Sequence, residues 1–184
     1  KFVLDQGVKF VTTSAGDPMK IVGPLKDAGL NVFHVVPSLK AALRAIEAGV
    51  DGLVVEGGEG GGFKNPREVA SMVLLPLICS KTDKPVIAAG GITDGRTMAA
   101  AFALGAEGVQ MGTRMVSAAE SPVHQNWKNA ILEAEETSTV FLNRFGPGPA
   151  LRALHPAPPP PFEHETPAGI ERENPDRELL FCDE

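Results

Sequence analysis

From residue 8 to residue 116 the chain repeats one pattern. A short β-branched apolar run leads into a Gly-, Pro- or Ser-containing turn, and then into a stretch whose apolar side chains recur at i, i+3 and i+4. The apolar runs lie at 8–14, 32–36, 52–56, 85–89 and 108–111, and each predicts a strand followed by a helix. Runs such as PVIAA are apolar throughout rather than alternating, as a sheet covered on both faces requires. Five βα units in series predict a parallel α/β sheet.

The helical stretches carry end signals. Ser38 is placed to cap SLKAALRAIEAG, which stops at Gly49, and Asp94 to cap DGRTMAAAFALG, which stops at Gly105. Asn65-Pro66 marks a further helix start ahead of REVASMVLLPLICSK, with Pro76 expected to kink or interrupt that helix. Ser121-Pro122 is expected to open a helix running to about Glu136, with Trp127 and Ile131 on one face.

Composition sharpens this picture. With 184 residues the chain is long enough for one domain with a real core, and 20 Gly beside no Tyr suit tight strand-to-helix turns better than an aromatic-rich sandwich. No apolar run reaches the roughly 18 residues of a membrane span, and the first residues lack a signal-peptide core, so a soluble, cytoplasmic protein is expected. Cys79 and Cys182 stand far apart in unlike contexts, which argues against a disulfide framework or a cysteine metal site, and no metal is expected.

The net charge of −6 is uneven: 156–184 holds eight acids and two bases, leaving 15 of each in 1–155. A neutral body without a basic stripe offers no electrostatic footprint for nucleic acid, and the expected partner is a small-molecule substrate. The domain reading is a partial barrel over 1–155 and a Pro-rich acidic tail over 156–184, expected to be disordered.

Three glycine-bearing segments fall where strands end and helices begin: EGGEGGG (56–62), AAGGI (88–92) and QMGTR (110–114). In a βα barrel these ends share the face that holds active sites. Glycine there lets backbone N–H groups approach phosphate oxygens and lets the chain take positive φ. The competing reading is that these glycines serve tight turns alone. If the last two segments follow strands seven and eight, the chain holds about strands four to eight of a (β/α)8 barrel, and it is expected to be a piece of a longer product.

The joint occurrence of EGGEGGG, PVIAAGGITDGR, LGAEGVQMGTR and ESPVHQNWK over about residues 7–154 resembles the nitronate monooxygenase family, formerly 2-nitropropane dioxygenases, which also includes flavin-dependent enoyl-acyl-carrier-protein reductases. The resemblance implies a TIM barrel that binds FMN non-covalently. It implies flavin contacts at Glu56, Gly61, Gly91, Gln110, Met111, Gly112 and Thr113, with Gly90 adjacent.

The chain departs from the family at two positions: Glu56 replaces a usual glutamine, and Phe63 replaces the usual catalytic histidine. Phe63 cannot accept a proton, so removal of a carbon-bound proton from a neutral nitroalkane loses its base. A nitronate arrives ionised and needs none.

Glu59 and His34 are the substitute candidates, with Glu56 third. His34 shares a strand face with Val32 and Val36, which suits an interior histidine, and Glu59 suits a structural acceptor. His124 reads as a surface or helix-start residue, while Arg114 suits a phosphate or an acid equally.

The leading expectation is an FMN-dependent monooxygenase oxidising alkyl nitronates with oxygen. The alternatives are a flavin-dependent enoyl thioester reductase and an inactive barrel fragment. Phosphate-binding dehydrogenases of inosine monophosphate need a reactive loop cysteine, and neither Cys79 nor Cys182 is placed for that role.

Overall fold

The computed structural model describes residues 2–146 and 149–155. The expected disordered tail, 156–184 with Cys182, lies outside them. The chain divides into two units, Lys1–Gly60 with Arg67–Met115, and Gly61–Pro66 with Val116–Glu184.

In the larger unit the βα alternation is realised five times. After a short α1 (Phe2–Asp5) come β1 (Phe10–Thr13), α2 (Pro18–Asp27), β2 (Asn31–Val36), α3 (Leu39–Glu47) and β3 (Gly52–Glu56). Following β4 (Gly62–Phe63), which belongs to the smaller unit, are α4 (Ser71–Cys79), β5 (Val86–Ala89), α5 (Gly95–Ala103) and β6 (Gly108–Gln110). The strands order as β1-β2-β3-β5-β6, and every neighbouring pair is parallel.

Side chains alternate across this sheet. Val32, Val36, Leu53, Val55, Val86 and Ala88 face the helices and bury themselves against Ala42, Ala45, Leu74, Leu75, Ile78 and Ala101. Fully burying a Val or Leu side chain contributes about 1.5–3 kcal/mol, so this layer is the main stabilising contact of the unit. The opposite face carries Phe10, Phe33, Val35, Val54 and Ile87, and the rings of Phe10 and Phe33 lie 5.0 Å apart. The Phe33 ring covers Gly52, where a Cβ would stand 2.2 Å from it.

The expected caps are in place. Ser38 accepts from Ala41 N–H, and Asp94 closes a capping box with Thr97. Two helix expectations need correction. α4 starts at Ser71, not after Asn65-Pro66, because Val69 C=O is taken by Gly58 N–H at 2.8 Å and the preceding residues serve the glycine loop instead. α4 also runs on through Pro76. The carbonyl that loses its intrahelical donor there is that of Met72, an exposed residue.

In the smaller unit the helix expected from Ser121 begins at Gln125, as α7 (Gln125–Glu133), following α6 (Thr113–Val116), which straddles the boundary between the units in sequence. His124 caps α7 by accepting from Asn126 N–H at 3.1 Å, in keeping with its reading as a helix-start residue. The buried Lys128 ammonium donates to Ala119 O at 3.1 Å and Ser121 O at 2.7 Å, so that carbonyl serves a lysine rather than a helix.

A three-stranded antiparallel sheet, unforeseen in the sequence, completes this unit: β4, β8 (Leu151–Leu154) and β7 (Thr139–Leu142), in that order.

Candidate functional site

Parallel register puts the ends of β3, β5 and β6 side by side. Glu56, Ala89 and Gln110 form one row across the three strands. By alternation their side chains project from the face turned away from the helices. Chain polarity then delivers the segments beginning at Gly57, Gly90 and Met111 to the same edge of the sheet.

These glycines answer different demands. A Cβ at Gly57 would lie 1.9 Å from Ser71 Oγ, and one at Gly90 3.0 Å from Gly60 N, so the β3 loop and the β5 end pack too closely for side chains. Gly90 and Gly91 also hold φ of +90° and +74°, a region glycine enters without strain. Gly112 has no positive φ, and a Cβ there would meet nothing within 4 Å, so neither conformation nor packing requires a glycine at that place. Close packing accounts for Gly57, packing together with positive φ accounts for Gly90, and neither accounts for Gly112.

β5 and β6, paired at Ala89 and Gln110, both run into glycine-bearing segments, Gly90-Gly91 and Met111-Gly112-Thr113. Two neighbouring strand ends thus bring glycine backbone to one edge of the sheet, where N–H groups can approach an anion with several oxygens. The residues present therefore fit a phosphate-bearing cofactor.

Glu59 is exposed and its carboxylate is engaged: Ser71 N–H donates to both oxygens at 3.0 and 3.1 Å, and Ser71 Oγ–H donates to Oε2 at 2.8 Å. Ser71 was not legible as a site residue, since the sequence pattern places it inside a helix rather than at its start.

His34 lies on the helix-facing side of β2, opposite in facing to Glu56 and Gln110, and is 4% exposed. Its Nδ1 pairs with Thr13 Oγ at 2.8 Å, and burial pushes its pKa below the ordinary 6.5, keeping the ring neutral at pH 7.

Gly61 and Phe63 belong to the smaller unit; Phe63 pairs with Leu151 in β4 and is 71% exposed. In the same sheet Phe141 is stacked by the guanidinium groups of Arg144 at 4.3 Å and Arg152 at 5.5 Å. Arg114 makes other contacts. Among the described residues no group of three His, Cys, Asp or Glu side chains is placed to hold a metal ion, and no helix is long and apolar enough to cross a membrane.

A family model described as nitronate monooxygenase matches residues 1–157. The chain is 36% identical over 158 residues to a probable nitronate monooxygenase of Staphylococcus saprophyticus, covering 80% of this chain and 44% of that protein. It is 38% identical over 130 residues to the (3aS,4S,5R,7aS)-5-hydroxy-7a-methyl-1-oxo-octahydro-1H-indene-4-carboxyl-CoA dehydrogenase of Rhodococcus jostii, covering 71% of this chain and 36% of that one. Among solved structures, FabK from Thermotoga maritima superposes with a TM-score of 0.78 at 44% identity, covering 83% of this chain and 48% of that chain. The chain thus spans less than half the length of these relatives. Its parallel sheet and helices are a portion of a (β/α)8 barrel.

Proposed function

The chain belongs to the nitronate monooxygenase family, and we propose that it forms the phosphate-binding part of an FMN-dependent oxidoreductase that oxidises alkyl nitronates with oxygen. The observation that carries this reading is the pair of adjacent strand ends bearing the N–H groups of Gly90, Gly91, Met111, Gly112 and Thr113, with positive φ at Gly90 and Gly91 and open space where a Cβ at Gly112 would stand. These donors take the FMN phosphate, while Glu56 and Gln110, on the row beneath, orient the rest of the cofactor. For Gly61, which belongs to the smaller unit, a flavin contact is implied by the family resemblance alone. When bound, FMN supplies the electron transfer.

The protein's own contribution is position and electrostatics. Phe63 stands at the family's histidine position, so this chain brings no base there. The substrate accordingly arrives already ionised, as a nitronate does. His34, neutral and turned to the helices, stays a structural residue, and so does Glu59, whose carboxylate is committed to Ser71.

The second reading is oxidoreduction of an acyl or enoyl thioester. It is favoured by the exposed apolar Phe63 in place of a base, and by the CoA-thioester substrate in the name of the Rhodococcus relative.

The test is the visible spectrum of the purified full chain, then anaerobic addition of a nitronate. Flavin absorption that bleaches and returns with air supports nitronate oxidation. A flavin spectrum indifferent to nitronate, but reduced by a nicotinamide donor and reoxidised by an enoyl thioester, moves the assignment to the second reading. Colourless protein that ignores added FMN sinks both.

A further inference from the structure

A carboxylate close to a phosphate cradle is a liability, because like charges repel and the acid competes for the same donors. Glu59 lies in the loop that Gly90 packs against, and a Cβ at Gly91 would come within 3.2 Å of Glu59 Cβ. Its charge is spent elsewhere. Ala70 at the cap position of α4 supplies no side-chain cap, and Glu59 provides one from outside the helix through Ser71 N–H and Oγ–H. The carboxylate thereby also meets the positive end of the helix dipole. Ser71 Oγ lies 3.4 Å from Gly90 O, and Gly57 N–H donates to Ala89 O at 3.1 Å. The loop after β3, the start of α4 and the end of β5 therefore converge on the Glu59–Ser71 pair.

We propose that Glu59, acting through Ser71, is a positioning residue for the phosphate cradle: it fixes the Gly90 and Gly91 peptides so that their N–H groups meet the cofactor's phosphate. This rests on the cofactor assignment above. Glu59 does no chemistry; its effect is confined to the ligand's phosphate end.

The test compares binding of FMN and of riboflavin, which lacks the phosphate, to the full chain by quenching of flavin fluorescence. Glu59→Ala is expected to weaken FMN about tenfold, as loss of a supporting shell does, and to leave riboflavin unchanged. Glu59→Gln, which keeps an acceptor for Ser71 N–H, is expected to stay within about threefold of wild type. Adding Ser71→Ala to Glu59→Ala costs nothing further if the two act as one unit.

Equal losses for FMN and riboflavin, or no loss for either, overturn the proposal. If Glu59→Ala does not fold, Ser71→Ala decides: an FMN-to-riboflavin preference equal to wild type overturns the proposal, and a reduced preference upholds it. Wild-type protein that binds neither flavin removes the cofactor assignment and this inference with it. Wild-type protein that binds both, with Glu59→Ala unaltered, removes this inference alone.

Discussion

An alanine at position 90 meets two obstacles, a φ of +90° and a Cβ 3.0 Å from Gly60 N, whereas an alanine at 112 meets neither. Gly90→Ala is expected to cost about 1–3 kcal/mol of stability, and Gly112→Ala less than about 0.5 kcal/mol. Both are expected to weaken FMN, the second by obstructing the approach of the phosphate. Thermal unfolding of the apo-protein beside FMN titration separates the two effects, and wild-type affinity in Gly112→Ala would take that residue out of the site. Phe63→His restores the family's base: turnover of a neutral nitroalkane is expected to rise about 100-fold, increasing with pH through about 6.5, while nitronate turnover holds steady. His34 carries a pH signature of a different kind. Burial lowers its folded pKa below 6.5, so the unfolded state binds the extra proton first. Its contribution is therefore full above pH 6.5 and is lost as pH falls through the folded pKa. In denaturant titrations from about pH 7.5 down to about pH 4.5, wild type should lose stability on acidification more steeply than His34→Gln.

At the scale of elements, the caps read from sequence are also the ones with a measurable cost. Ser38→Ala removes the acceptor for Ala41 N–H and should lower stability by about 1 kcal/mol, read as a shift in denaturation midpoint at constant slope. The five parallel strands were legible because each is a short apolar run closed by a turn signal, and α3 and α5 because Ser38 and Asp94 announce them. The starts of α4 and α7 were not, since both depend on partners distant in sequence or on carbonyls already in use: Glu59 reaches Ser71 across 12 residues, and Lys128 holds the Ser121 carbonyl. The β7–β8 hairpin carries a weak signal, two short runs, TVFL and LRAL, flanking Asn-Arg-Phe and a Gly-Pro repeat. Of the candidate site, the glycine segments were visible as motifs. Which glycines serve packing and which remain for a ligand was decided only by the distances around Gly57, Gly90 and Gly112.

Over the whole molecule, the charge balance separates a neutral body from an acidic end, with the net −6 carried by 156–184, so the body offers no field of lysines to steer an anion. The larger unit's sheet ends on β1 at one edge and β6 at the other, and its second face shows Phe10 at 46% exposure, features that the closed barrels of the relatives' fold remove by adding strands. The register row of Glu56, Ala89 and Gln110 crosses two strand intervals, about 10 Å at ordinary sheet spacing. That row works as a gauge. On the proposed reading, a flat tricyclic laid along the row matches that span more nearly than a single ring does. The width is set by which backbone amides pair with which, and a slip of one residue in β5 or β6 would turn the row to the wrong face. The spacing of the strands is thereby held by the ladder itself, and exchanging either end residue changes the side chain offered to a ligand without moving the strands.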